Sequence, residues 1–368
     1  MNLKLVQVIF RHGARTPLLS PDYLPKIEYS KSQMTHPEHT IIPYVITELH
    51  DEEIVIKHNT TWGETKGDHG QLTSVGAEQL YQLGCFLRKK YLSELDFVKD
   101  PSQVYARSTG VKRTVESARS VLAGLFPGHT AQFPIHVAPP TMEVLYPNFQ
   151  ICNYIRMLNR WAHWLLIFVL QLQLIREDIQ NQFNISPEHK VHLVTLRDCL
   201  FVHKFHDMLP AEFDKPEAMT NLERVSVEIM DYVFAGHGEA SLKLASGPLL
   251  TKLLENMDQS ISNQPNKEKL ILLSGHDTTL IPFLHTLNIH DSKWPPYAAN
   301  VTLELYECSS DQKYYVQVLY ENEKQLLPGC SDVMCPLNEF KAAVSKYLVS
   351  PDEYTKLCGV KDDKFLRQ

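Results

Sequence analysis

LKLVQVIF, residues 3–10, is apolar at nearly every position and rich in β-branched side chains. A strand with one wet face alternates apolar and polar residues. An unbroken apolar run is what a strand buried on both faces of a parallel sheet requires. Working outward, QVYARST (103–109) and KLILLSGH (269–276) repeat the pattern of apolar strand followed by polar loop, and PIHVAPP (134–140) is a shorter strand closed by two prolines. Helices fall between them. Thr73 or Ser74 suits the N-cap of a helix that carries Leu80, Leu83 and Leu87 on one face and ends in RKKY; residues 111–125 and 246–257 are helical in pattern. Strands alternating with helices predict an α/β fold with a mixed, mostly parallel sheet flanked by helices.

Two stretches break the alternation. Residues 18–70, rich in Pro, His and acidic groups, read as a long irregular excursion. Residues 146–240 read as a mainly helical inserted cap, which leaves 1–145 and 241–368 as the α/β core. Within the cap, WLLIFVL (164–170) falls far short of the ~20 apolar residues a membrane span needs, and it reads as a buried cap helix.

The chain of 368 residues has 43% hydrophobic and 21% charged residues, the balance of a globular protein, and a formal net charge of −7. That sign argues against a nucleic-acid partner and against an anionic membrane surface. The 17 His would cancel much of it at mildly acidic pH. Seven Cys are too sparse for a disulfide scaffold, although Cys330 and Cys335 share a Pro-flanked loop and are close enough to bridge. Sequons at Asn59, Asn184 and Asn300 carry little weight, and no signal or transit peptide is visible ahead of the first strand expected here.

Basic residues crowd the end of that first strand. RHGARTP (11–17) sets Arg11, His12 and Arg15 around Gly13, ahead of Pro17. The pattern R-H-G-x-R-x-P arises by chance in such a chain on the order of 10⁻⁴ times, taking about 1/20 per residue type. In open α/β sheets the crevice beyond the carboxyl ends of the strands binds ligands, and this loop lies there. Gly13 permits close backbone approach, and two guanidinium forks suit an anion with several oxygens, phosphate above all. Arg107, also at a strand end, would complete a trio of arginines around a phosphoryl group. His276 and Asp277 in SGHDTT (274–279) occupy a further strand end. The set then holds a nucleophile, a cationic cradle and a carboxyl group for a poor leaving group, which is what phosphoryl transfer needs. A metal triad of His12, His276 and Asp277 is disfavoured because the arginines would repel a divalent cation. No G-x-S-x-G elbow and no P-loop occurs.

RHGARTP, RST (107–109) and GHD (275–277) resemble the histidine acid phosphatase branch of the histidine phosphatase superfamily, whose fold is phosphoglycerate mutase-like. The likeness extends through GQLTSVGAEQLYQLG, RSTGVKRTVESARSVLAGLFP, EVLYPNF, SGHDTTLIPFL, KWPPYAANVTLELYE and PGCSDVMCPL, nearly the whole chain. It implies a metal-independent acid phosphatase without cofactor. His12 would become a phosphohistidine, with Arg11, Arg15, Arg107 and His276 gripping the phosphoryl oxygens and Asp277 as proton donor. The implied substrate is a small phosphomonoester, lysophosphatidic acid, split to monoacylglycerol and phosphate. The alternatives are a broad acid phosphatase, an inositol-phosphate phosphatase, or a non-catalytic phospholipid-binding protein, whose signature would be loss of His12 or Asp277. The resemblance further implies a monomer with no transmembrane segment, a mitochondrial location with lysosomal or secreted alternatives, and disulfides Cys330–Cys335 and Cys152–Cys358 in an oxidising compartment. RWAHWLLIFVLQLQL (160–174) departs from the family's polar counterpart and leaves acyl-chain preference open.

Overall fold

The computed structural model describes residues 1–49, 54–57, 69–158, 170–262 and 267–359. Its strands are β1 (Asn2–Arg11), β2 (Tyr44–Leu49), β3 (Ile54–Lys57), β4 (Val104–Ser108), β5 (Phe133–Val137), β6 (Leu270–Gly275), β7 (Asn300–Glu307), β8 (Tyr314–Tyr320), β9 (Glu323–Gln325) and β10 (Met334–Pro336). They form one sheet in the order β10-β8-β7-β1-β6-β4-β5-β2-β3, with β9 on β8. The sheet is mixed. It is parallel through β1, β6, β4, β5 and β2, and antiparallel from β1 through β7 to β8 and from β2 to β3.

The main helices are α1 (Ser74–Leu87), α2 (Lys112–Leu125), α3 (Leu170–Gln182), α4 (Leu193–Phe205), α5 (Pro216–Ala235), α6 (Glu239–Ser260), α7 (Asp277–Thr286), α8 (Leu337–Val344) and α9 (Pro351–Cys358). The lack of alternation in β1 now has its cause. Val6, Val8 and Phe10 pack under α1 and α2 with Leu80, Val115 and Val121, while Leu5 and Ile9 pack under α6 and α7 with Leu250, Leu253 and Phe283. Both faces are core, and each such side chain contributes ~1.5–3 kcal/mol by leaving water. Thr73 is the N-cap of α1, its hydroxyl accepting from the Gly76 N–H.

Helices α3, α4 and α5 bury a core of their own around Ile179, Leu196 and Leu222, with Tyr23 and Leu24 packed against it. The irregular excursion expected over 18–70 needs correction: the segment holds β2 and β3, and β2 adds to the sheet in parallel beside β5. These are short strands at a sheet edge, flanked by acidic residues, so composition hides their period. WLLIFVL lies outside the described residues up to its last residue, where α3 begins. Among the described residues no helix is long and apolar enough to cross a membrane. Cys152–Cys358 and Cys330–Cys335 are disulfides. Of the sequons, Asn184 is exposed, Asn300 is buried in β7 and Asn59 lies outside the described residues.

Candidate active site

Strands β1, β6 and β4 are parallel neighbours, so their carboxyl ends and the loops beyond them meet. The loop after β1 is held in place by the start of α1. The Thr73 N–H donates to Ala14 O at 3.0 Å, and Thr16 N–H donates to Gln71 O at 3.0 Å. Gly13 does allow close backbone approach, but what approaches is Gly76: a Cβ on Gly13 would lie 2.2 Å from the Gly76 carbonyl oxygen.

His12 is 1% exposed. Its Nδ1 lies 2.8 Å from Gly13 O. A carbonyl only accepts, so Nδ1 carries the proton and Nε2 keeps its lone pair. Burial, then the charges of Arg113, Arg11 and Arg15, hold its pKa well below the ordinary 6.5. The ring is neutral and held in one orientation, with the Nε2 lone pair unprotonated.

Three guanidinium groups surround it. Arg11 stacks on Tyr297, 4.3 Å from the ring centroid, donates to Pro295 O at 2.6 Å and pairs with Asp277 Oδ2 at 2.9 Å. Arg15 forms a fork on Asp198, at 2.7 and 3.3 Å. Burial opposes the charge on Arg15, and Asp198, Tyr297 and Asp277 together more than offset it, raising the pKa. Arg113, in the first turn of α2, donates to His276 Nδ1 at 3.3 Å. Burial, then the nearby Arg15, push its pKa down to about 9. The buried Nε atoms of Arg11, Arg15 and Arg113 have no hydrogen-bond partner among the described residues.

His276 is the N-cap of α7, its backbone N–H donating to Thr279 Oγ1 at 2.9 Å. Because Arg113 donates to its Nδ1, its own proton sits on Nε2 and is given to Thr109 Oγ1 at 3.0 Å. Its ring meets that of His12 edge-on, 5.6 Å between centroids. Asp277 accepts from Thr278 N–H at 2.8 Å and from Trp294 Nε1–H at 3.1 Å. Burial works against its charge, but Arg11 and Arg15 prevail and hold its pKa well below the usual carboxylate range.

The structure brings together Arg11, His12, Arg15, His276 and Asp277. It does not bring Arg107 to them, and this corrects the expected trio. In β4, Arg107 pairs in register with Leu273, whose side chain packs under α6 and α7. From that face the guanidinium reaches the buried Glu143, at 3.0 Å, on the wall of a separate cavity of about 330 Å³. Arg113 takes the third place instead. Sequence reading missed it by weighing strand ends alone, although the first turn of a helix after a strand is itself a favoured anion site. It also missed Asp198, which reaches the site from the cap helix α4 and carries no local signal.

The cleft over His12 has a volume of about 250 Å³. Its polar wall is His12, Arg15, Arg113, Asp198, His276 and Asp277, and its other wall is Leu18, Leu19, Val194, Met230 and Trp294. Arg11 lies behind this lining, paired with Asp277, and with it three guanidinium groups face two carboxylates, so the site is positive and suits an anion joined to an apolar group.

The profile of the histidine phosphatase superfamily (branch 2) matches residues 2–152 and 170–321. Lysophosphatidic acid phosphatase type 6 of Mus musculus is 34% identical over 370 residues, covering 98% of this chain and 88% of its own. Prostatic acid phosphatase of Homo sapiens is 29% identical over 378 residues, covering 97% and 88%. Among solved structures, the Hafnia alvei phytase in complex with tartrate superposes with a TM-score of 0.66 at 16% identity, covering 98% of each chain. At that identity the likeness is one of fold.

Proposed function

The chain belongs to branch 2 of the histidine phosphatase superfamily and is a phosphoric monoester hydrolase; on that premise we propose that it cleaves lysophosphatidic acid, without a metal, through a phosphohistidine on His12. The observation that carries this reading is the Nδ1–H bond from His12 to Gly13 O, which leaves a neutral ring with its Nε2 lone pair free beside three arginines.

His12 Nε2 attacks phosphorus; the N–P bond forms as the bond to the glycerol oxygen breaks. Arg11, Arg15, Arg113 and His276 hold the three non-bridging oxygens, whose charge grows in the transition state. Asp277 gives its proton to the departing alkoxide, then as carboxylate takes one from the water that splits the phosphohistidine and frees phosphate. Asp277 is ionised in the free protein, held so by Arg11. Phosphate that engages Arg11 and Arg15 brings negative charge beside Asp277 and raises its proton affinity, so the proton arrives with the substrate.

The apolar wall of Leu18, Leu19, Val194 and Met230 supports a lipid tail, as does the mouse relative named for lysophosphatidic acid. A polyphosphate would call for more cations than Arg15 and Arg113 at the mouth. The test is phosphate release from lysophosphatidate, glycerol phosphate, an aryl phosphate and inositol hexakisphosphate, with acid-quench trapping of labelled enzyme. Preference for lysophosphatidate and an acid-labile label absent from His12→Ala are expected. Preference for inositol hexakisphosphate overturns the substrate, and label retained in His12→Ala overturns the nucleophile.

A further inference from the structure

Helix α7 begins at the catalytic cleft, and its far end meets the cap. There His285 in the last turn of α7, Asp231 in the last turn of α5 and His290 in the loop beyond α7 converge, with one ligand atom from each within 4.8 Å of the others. His285 Nε2 is 2.8 Å from Asp231 Oδ1. His290 Nδ1 is 3.7 Å from the same oxygen. That is too long for a hydrogen bond. It is near the separation of two ligands on one tetrahedral ion, about 3.4 Å when each lies ~2.1 Å from the metal. The two imidazoles stack with centroids 4.2 Å apart, and each presents a ring nitrogen to the same Asp231 oxygen.

Ordinary hydrogen bonding explains His285 better than His290. The His290 side chain is 3% exposed, and its Nε2 is buried without a hydrogen bond within ordinary distance among the described residues. Its ring otherwise has a long 3.3 Å bond from Ser292 N–H to Nδ1 and a backbone interaction with Lys293. Two imidazoles and one carboxylate with an open fourth position are a donor set suited to zinc. In the arrangement seen, His285 donates its Nε2 proton to Asp231; with an ion bound, the neutral ring keeps its single proton on Nδ1 and turns the Nε2 lone pair to the metal.

We propose that Asp231, His285 and His290 form a zinc site, apart from the phosphate chemistry, that ties the cap helix α5 to the core helix α7. The position gives the tie a consequence. Met230, next to Asp231, lines the cleft, and Asp277 heads the helix that His285 ends. An ion bound by these three residues fixes the spacing of the apolar wall from the polar one.

The test uses the full chain, stripped with chelator and titrated with zinc against a chromophoric zinc indicator. One equivalent is expected to bind. Asp231→Asn and His290→Gln should each weaken it by at least about tenfold, since even outer-shell losses cost that much. His12→Ala should bind zinc as the parent does, and zinc should raise the Tm of the parent but not of His285→Gln. No uptake overturns the site. Unchanged affinity in Asp231→Asn and His290→Gln overturns it too, because the ion then sits elsewhere, and lost affinity in His12→Ala would put it in the catalytic cleft. The readout is binding, so it stands or falls separately from the phosphohistidine reading.

Discussion

Arg107 and Arg113 stand in one segment, RSTGVKR, and their side chains serve different sites. Arg113→Lys keeps the charge but loses the planar fork, and it should cost on the order of 10² in kcat/KM if the fork holds a transition-state oxygen. Arg107→Ala should instead strip a buried Glu143 of its partner, costing about 3–5 kcal/mol of stability while the surviving folded fraction keeps its KM. Activity assays beside chemical denaturation separate the two, and the reverse pattern would restore the trio read from strand ends alone. The pH profile adds a signed check. His12 is held neutral by burial and by positive neighbours, Arg113 first among the charges, so the acid limb of kcat/KM should lie well below pH 6.5. Removing that charge in Arg113→Gln favours the imidazolium, so the limb should move up in pH; a limb that stays put or moves down would mean that Arg113 does not hold His12 neutral. Asp277 is tested by its leaving group. Asp277→Ala should lose ~10²–10⁴-fold on lysophosphatidate, whose alkoxide needs a proton, and far less on an aryl phosphate that departs without one. Equal losses in parallel assays would make Asp277 an organiser of the site.

At the scale of elements, glycine spacing governs how the helices meet the sheet. A Cβ on Gly84 would lie 2.1 Å from Val121 O, and one on Gly124 would lie 2.2 Å from Tyr81 O, so α1 and α2 touch backbone to backbone. Gly84→Ala should therefore cost about 1–3 kcal/mol by overpacking, with kcat intact. Gly76→Ala meets Ala14 O at 2.1 Å, in the loop that carries His12 and Arg15, so it should also lower kcat. A shift of about 1 Å there is worth up to roughly 10² in rate. Measuring Tm and kcat on both variants checks this; equal loss of kcat in the two would contradict it. The parallel centre of the sheet was legible in residues because β1 and β6 are apolar on both faces. The edge strands β2 and β3 were not, since one short strand among acidic residues looks like loop until its partner β5 is in place. Helix α6 reads from Ser246 in pattern, yet it begins at Glu239 and carries Pro248 inside. Gly247 explains the tolerance of so poor a helix sequence: the Tyr347 carbonyl leaves no room for a side chain.

Over the whole molecule, the helices α3, α4 and α5, which we read as a cap, meet the core through apolar packing of Val233 and Phe234 against Ala245 and Ile281. Further ties are of different kinds. One is electrostatic: Asp198 on α4 holds Arg15 and accepts from Leu18 N–H at 2.9 Å, so α4 helps shape the proposed phosphate cradle. Another is covalent. Cys152, at the start of the inserted segment, bridges Cys358 at the end of α9 across 206 residues of chain, while Cys330–Cys335 closes only 5. Cross-linking lowers the entropy of the unfolded chain, and the effect grows with the loop enclosed. The long bridge sits among Ile155, Leu244 and Phe149 rather than at the cleft, so its loss should act on stability and not on chemistry. Replacing Cys152 and Cys358 together by Ala should cost about 2–5 kcal/mol, more than the same change at Cys330 and Cys335, with kcat unchanged in both. The alanines also leave a small void, so the parent should be measured reduced and oxidised as well. If reduction alone reproduces most of the loss, the cross-link is the cause; if only the alanines do, the packing of the sulfurs carries it. A fall in kcat on reduction would mean that the far end of the chain reaches the cleft, and that the cap is held less by Asp198 than by this bridge.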